Sequence, residues 1–242
     1  MKKLLGDIID FIFPPRCPSC GGSVLEHGQI CGACWGRIDW IADPKCEKCG
    51  YPFPASIGRE KLLCPDCVGK KTKVNWMRSA CSYDGASRSM MLPFKHGAEL
   101  QYGGPMARAM LSLLGELPPG RAERLAVLPV PLARRRLFRR GYNQAALLAR
   151  PIAKALGARL DTDSVARRYR ADMGHKNARQ RAENVRGVFT VRRPERIKGR
   201  SVLIVDDVFT TGATFGELAK TLRRAGAAWV GAITFCRAVR AI

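Results

Sequence analysis

Residues 202–214 read Val-Leu-Ile-Val-Asp-Asp-Val-Phe-Thr-Thr-Gly-Ala-Thr. The groups with chemistry are two adjacent carboxylates, Asp206 and Asp207, and a small-residue turn, Thr210, Thr211, Gly212, Ala213 and Thr214. Hydroxyls and free backbone N–H groups donate hydrogen bonds, whereas ionised carboxylates only accept them. Donors gathered on one turn suit a phosphomonoester, and the glycine lets it approach the backbone closely. An acceptor-only pair just upstream suits vicinal sugar hydroxyls and repels a second phosphate. Together these requirements select a sugar phosphate. A Walker-type nucleotide loop is excluded, because no Gly-Lys-Thr/Ser follows the glycine.

Donors converge only if flanking elements hold them. Ahead of the acids lie four apolar residues, with Val202, Ile204 and Val205 β-branched, the composition of a strand buried on both faces. The acids are expected to end that strand, since carboxylates cannot be buried there unpaired. Being adjacent, they should diverge, one toward ribose hydroxyls and the other to secure the loop. Behind the turn, Phe215, Leu218, Leu222 and Ala225 share one side of a helix beginning near Thr214, with Gly226 placed to cap it. The first turn of such a helix points N–H groups, and the positive end of its dipole, at the loop.

Eight of the ten cysteines form four Cys-x-x-Cys pairs in the first 67 residues: Cys17/Cys20, Cys31/Cys34, Cys46/Cys49 and Cys64/Cys67. Two thiolates of such a knuckle reach one ion, and Zn²⁺ takes four tetrahedrally. Pairing neighbours along the chain gives two sites, Cys17, Cys20, Cys31, Cys34 and Cys46, Cys49, Cys64, Cys67, a double zinc ribbon; an interleaved pairing, or the loss of one ion, is the alternative. Disulfides are disfavoured because no secretory signal accompanies the cysteines. Four thiolates leave no open position for water, so the zinc is expected to be structural. Cys81 and Cys236 stand alone in strand-like surroundings and are expected to be buried packing residues.

The chain of 242 residues has 42 Lys and Arg against 20 Asp and Glu. Residues 121–200 alone hold 22 bases and 6 acids, most densely in Arg134, Arg135, Arg136, Arg139 and Arg140. A pyrophosphate-bearing sugar needs part of that field; the surplus suits a polyanion such as nucleic acid. Phe138 and Tyr142, beside these arginines, offer faces on which bases of single-stranded DNA could stack. A basic surface serving solubility is the plainer reading. No run of 18 apolar residues exists to span a membrane. Met1–Leu5 imitates the start of a signal peptide, but Asp7 and Asp10 interrupt the apolar stretch, so a cytoplasmic location is expected.

The length accommodates one α/β domain and a small satellite. An amphipathic N-terminal helix is expected within residues 1–13, the double ribbon over 14–68, a linker over 68–77 and the larger domain over 78–242. In that domain strands are expected at 78–83, 125–130, 202–205 and 228–236, with weaker candidates at 163–170 and 187–192. Helices are expected around 86–92, interrupted by Pro93, and around 105–115 and 143–156. Such alternation implies an α/β fold with a mainly parallel sheet, helices on both faces and ligands at the strand carboxyl ends.

The segment 202–214 resembles the phosphoribosyl-pyrophosphate (PRPP) loop of type I phosphoribosyltransferases, departing only in the bulkier Phe209. Further motifs narrow the resemblance: the Cys-x-x-Cys region, Phe94–Gly97 (Phe-Lys-His-Gly), Pro129–Leu132 (Pro-Val-Pro-Leu), Arg140–Gln144 (Arg-Gly-Tyr-Asn-Gln) and Arg181–Phe189 (Arg-x-x-Asn-Val-x-Gly-x-Phe). Their order over nearly the whole chain is similar to that of the ComF family, including GntX-like proteins. Membership implies a phosphoribosyltransferase fold and, for competence members, the handling of single-stranded DNA during natural transformation, with the DNA-uptake machinery as a partner. One stretch departs. Relatives often carry a Thr/Gln pair before the Arg-x-x-Asn signature, where this chain has Arg170–Lys176 with Met173 and His175.

The resemblance leaves two functions open. In one, the PRPP-binding fold serves as a nucleic-acid-handling module. In the other, it is a Mg²⁺-dependent transferase with an unknown acceptor. For the transferase, Mg²⁺ would accompany PRPP and loss of pyrophosphate would build positive charge at the anomeric carbon, which Asp206 or Asp207 would stabilise. Lys95, Arg134 and Arg140 are the candidate pyrophosphate contacts. His96 and His175 could serve as the base for an acceptor, but each sits in a polar segment and is expected to be incidental.

Overall fold

The computed structural model describes residues 11, 13–58, 62–69, 73–96, 99–170 and 178–239. Five strands, β1 (Trp76–Ser82), β2 (Leu125–Pro129), β3 (Arg159–Leu160), β6 (Ser201–Phe209) and β7 (Trp229–Arg237), form one sheet in the order β1-β7-β6-β2-β3, every neighbouring pair parallel. The remaining strands, β4 (Val165–Arg167) and β5 (Phe189–Val191), pair antiparallel with each other, off the main sheet. Helices among the described residues are α1 (Gly32–Trp35), α2 (Gly85–His96), α3 (Gly103–Leu111), α4 (Arg134–Arg140), α5 (Gln144–Ala155), α6 (Ala178–Val185) and α7 (Ala213–Arg224).

Alternation along β6 builds both sides of the core. Leu203 and Val205 pack with Phe94, Met106, Met110, Leu148 and Ile152 from the α2, α3 and α5 layer. Val202 and Ile204 pack with Phe215, Leu218 and Leu222 of α7 on the opposite face. Successive side chains of a strand point to opposite faces, so an unbroken apolar run is what a sheet covered on both sides requires.

Four sequence expectations need correction. β6 does not stop at the acids but runs through both to Phe209, because β7 pairs with it as far as Arg237 and Asp207 finds buried partners. α2 is not interrupted by Pro93. Burial of Met90, Met91 and Phe94 offsets the lost hydrogen bond, an interior proline costing about 3 kcal/mol. The arginine cluster does not merely lead to a helix; it is one, α4, closed by Gly141 with φ of +81°. The first strand starts at Trp76, inside the stretch expected as linker. The amphipathic helix expected at the N-terminus lies, apart from Phe11 and Phe13, outside the described residues, as do residues 171–176 with His175.

The cysteine-rich segment docks on the outer edge of β1. The Ile41 N–H donates to the Ala80 carbonyl (2.9 Å), the Ser82 N–H to Asp39 (2.8 Å) and the Met77 N–H to Lys48 (2.8 Å). Trp40 bridges antiparallel to Cys81, and its ring meets Phe235 edge-on at 6.5 Å. Glu116 accepts from Lys45 (2.7 Å) and from Arg78 (2.6 Å). Those two cations outweigh the upward pull of burial and hold the Glu116 carboxyl below its ordinary range. Cys81 and Cys236 are fully buried register neighbours on β1 and β7, and burial drives both thiols upward, as suits packing residues.

Candidate functional site

The connections diverge between β2 and β6. From β2 the chain passes through α5 outward to β3, and from β6 it passes through α7 the opposite way to β7. At such a switch point a crevice opens beyond the strand carboxyl ends, the usual ligand position in doubly wound sheets. The turn after β6 and the arginine helix after β2 both leave the sheet here.

Strand alternation separates the two acids as their adjacency requires. Asp207 follows Leu203 and Val205 toward the α2 and α5 layer, where it is buried. There Lys95 Nζ lies 3.2 Å from each of its carboxylate oxygens, and Gln144 Nε2 donates to it at 3.3 Å. Burial pulls the Lys95 ammonium down, but Asp207 and Asp206 outweigh it and the net shift is upward. Asp206 follows Ile204 to the other face and stays half-buried. Burial first, and the Asp207 charge second, push its carboxyl up to about 7, against Lys95 and Arg167.

Beyond β6 the turn is open to a ligand. Thr210 is exposed; Thr211, Gly212, Ala213 and Thr214 are half-buried. No side chain caps α7, so its first-turn N–H groups remain directed at the turn. Gly212 starts that helix with φ of +74°, and a Cβ there would stand 2.8 Å from the Phe209 ring. Only glycine meets both constraints. Lys95 holds Asp207 at the strand end that leads into this turn. His96, next to it, has its pKa lowered by burial, then by Arg140 and Lys95.

The eight paired cysteines gather as two clusters, Cys17, Cys20, Cys31, Cys34 and Cys46, Cys49, Cys64, Cys67, the ligand atoms of each within 4.8 Å of one another. The interleaved pairing is thereby excluded. Cys20 and Cys31 sulfurs are 3.6 Å apart, and those of Cys49 and Cys64 3.5 Å, close to the edge of about 3.8 Å that a tetrahedral Zn–S₄ unit needs. Backbone N–H groups aim at the sulfurs: Cys31 at Cys17 (3.4 Å) and Cys64 at Cys46 (3.3 Å). Hydrogen bonding from Cys49, then from backbone N–H groups, outweighs burial and pulls the Cys46 thiol down to about 4. Soft donors in a closed set of four fit structural zinc.

Helix α4 presents Arg134, Arg135 and Arg139 to solvent, with Arg136 and Arg140 half-buried. Phe138 is 93% exposed. Tyr142, expected to offer a second stacking face, instead packs its ring against Phe94 and donates its hydroxyl to the Phe94 carbonyl. The apolar ring takes the contact while the hydroxyl finds a carbonyl acceptor, and the residue stays half-buried. The structure thus brings Asp206, Asp207 and Lys95 together at the strand end that leads into the threonine turn, while α4 follows the end of the neighbouring strand β2, with Arg140 near His96.

The double zinc ribbon domain matches residues 8–68 and the phosphoribosyl transferase domain residues 143–241. The DNA utilization protein YhgH of Salmonella typhi is 32% identical over 216 residues, covering 88% of this chain and 92% of the relative. Competence protein F of Haemophilus influenzae is 26% identical (87% and 92% covered), and competence protein ComFC of Bacillus subtilis 24% (86% and 84%). The chain belongs to the ComF family. Its fold is accordingly a phosphoribosyltransferase domain preceded by a double zinc ribbon, with two zinc sites. Among the described residues no helix is long and apolar enough to cross a membrane.

Two functional contacts of this ComF-family chain escaped the sequence reading. Gln144, quoted only as a motif residue, secures Asp207; a polar side chain opening a buried helix face was the available signal. Arg237 is buried at the end of β7, its guanidinium 5.0 Å from the Phe209 ring and 5.2 Å from that of Tyr51. It donates to the Cys49 carbonyl and lies 3.9 Å from the Cys49 sulfur. One side chain thus spans the second zinc site and the phenyl ring beside Gly212.

Proposed function

We propose that the protein binds PRPP, with Mg²⁺ entering on its pyrophosphate, at Asp206, Asp207 and Thr210–Thr214, and that it handles single-stranded DNA in uptake or utilization through α4. The observation that carries the reading is the uncapped threonine turn beside a half-buried carboxylate at the sheet's switch point. In this reading the turn and the first N–H groups of α7 hold the 5-phosphate, and Asp206 meets the ribose hydroxyls. Asp207, neutralised by Lys95, fixes the strand end. Lys95 and, on α4, Arg134 and Arg140 supply positive field for pyrophosphate. The names of the H. influenzae and B. subtilis relatives support a place in competence, and that of the S. typhi relative supports DNA utilization. A basic helix with an exposed phenylalanine is the corresponding feature here.

PRPP or ribose 5-phosphate is expected to raise the melting temperature of the wild type, because a ligand that binds only the folded state stabilises it. Thr211→Ala should abolish the shift and leave the unliganded melt unchanged; a full shift in that variant would place the sugar phosphate elsewhere. Asp207→Ala is a poorer probe, since it strands Lys95 beside the core, and removing one partner of a buried ion pair costs about 3–5 kcal/mol.

Replacing Arg135, Arg136 and Arg139 together by Ala should weaken single-strand binding and flatten the slope of log affinity against log salt by about 2, given roughly 0.7 per phosphate neutralised. The PRPP response should persist. Loss of the PRPP response with DNA affinity intact would reassign these arginines to the sugar phosphate. The transferase alternative is separated by assaying pyrophosphate release from PRPP with and without single-stranded DNA. Release that is stimulated by an added acceptor supports the transferase.

A further inference from the structure

A cavity of about 570 Å³ opens between the segment after β2 and the β4–β5 pair, and none of residues 206–214 lines it. Its volume falls within the range of about 300–1,000 Å³ usual for small-molecule sites. Five arginines line it, Arg134, Arg135, Arg167, Arg168 and Arg192, against one carboxylate, Asp163. That carboxylate is already committed to Arg193 (2.6 Å) and Arg196 (2.9 Å), which stand outside the lining. Among the described residues neither Arg134 nor Arg192 pairs with a carboxylate. The cavity is therefore strongly positive, its one lining carboxylate being shared with two further arginines.

Its remaining wall is mixed, with Asn143 and Thr162 as polar members beside an apolar side. Pro131, Leu132, Leu137 and Val165 form an apolar side, and the Arg135 guanidinium lies 5.1 Å from the centre of the Tyr169 ring. Guanidinium groups recognise phosphate bidentately, and an Arg–Tyr pair gives a flat platform for an unsaturated ring. A sugar phosphate alone has no use for the platform. A phosphate backbone lying along a surface has no use for a cavity.

We infer that this cavity takes one nucleoside monophosphate unit, its base on the Arg135–Tyr169 platform and its phosphate on Arg168 and Arg192. The unit is either a free nucleotide or the terminal 5′-phosphorylated nucleotide of a single strand. The inference deepens the nucleic-acid half of the proposed function and rests on that reading only for the source of the ligand. Arg167 ties the two places together, since it lines the cavity and its charge reaches Asp206 in the PRPP site.

The test uses the full-length, zinc-loaded chain and calorimetric titration with thymidine 5′-monophosphate and with thymidine. The monophosphate should bind at least about tenfold more tightly, the worth of one charge-assisted phosphate contact. Arg192→Glu, at an exposed position, should remove that advantage, and Arg192→Ala should reduce it. Thr211→Ala should leave it unchanged while losing the PRPP response. Equal binding of the two probes, or insensitivity to both Arg192 variants, overturns the site. A monophosphate advantage lost in Thr211→Ala overturns it too, by moving the phosphate into the PRPP turn. Oligothymidylate with a 5′-phosphate binding more tightly than its 5′-hydroxyl counterpart, in an Arg192-dependent way, makes the strand end the source. Equal binding of the two oligomers, with the monophosphate still Arg192-dependent, makes the free nucleotide the source. If neither oligomer binds at low salt, the single-strand reading of α4 fails, and the cavity is still decided by the monophosphate arm.

Discussion

Cys46→Ser is expected to lower bound zinc from two ions per chain to one and to depress the melting temperature of the whole protein, not of the ribbon alone. Cys46 is fully buried within the second four-sulfur cluster, and its sulfur accepts the Cys64 N–H. Binding energy at a structural zinc site is folding energy, about 10–16 kcal/mol in isolated zinc-finger peptides, and a three-thiolate site forfeits much of it. The loss spreads because this knuckle is attached to the larger domain through Lys48 on Met77, Glu47 on Arg78 and Cys49 on Arg237. Metal analysis by emission spectroscopy and calorimetric unfolding check the two halves of the expectation. Two retained ions would dissolve the assigned pairing; one retained ion with an unchanged melt would show the knuckle to be detachable.

Asp206→Asn should abolish the PRPP-induced thermal shift and, without ligand, make the protein more stable than wild type above neutral pH. The carboxyl of Asp206 is raised to about 7, against about 3.9 for an unfolded aspartate. The folded state thus holds this proton more tightly than the unfolded state. The stability Asp206 contributes is full below about pH 4 and is lost as the pH climbs through about 7. Asparagine has no proton to lose, so the gap in melting temperature between variant and wild type should open from about pH 5 to about pH 8. Melts of both proteins across that range decide it. Parallel curves would mean that Asp206 is ionised throughout, and a PRPP shift surviving in the variant would move the ribose contact off this residue.

What could be read from the chain divides by sequence separation. The zinc ligands lie within short Cys-x-x-Cys spacings, and the loop from Asp206 to Thr214 is a single turn between two elements, so residue order already carries their geometry. The parallel sheet followed from the apolar runs at Leu125 and Val202. The fate of the acids did not follow, because β6 runs through them paired with β7, and Asp207 is buried against Lys95, 112 positions earlier, and Gln144, 63 earlier. The same holds for Arg237 and Cys49, separated by 188 residues. α4 was missed for a different reason. Seven residues with five like charges have no amphipathic period, and the left-handed Gly141 that closes the helix looked like part of a loop.

The docking of the cysteine-rich segment on β1 also bears on solubility. An outer strand of a parallel sheet presents a row of unpaired N–H and C=O groups, a template for pairing with other chains. Every residue of β1 is buried, and the backbone hydrogen bonds at Met77, Ala80 and Ser82 occupy its outer side. Zinc starvation would therefore do more than unfold a small appendage: it would uncover an adhesive strand margin. The chelated protein should self-associate edge to edge, with oligomers that grow with protein concentration and vanish when zinc is restored before the sheet itself melts.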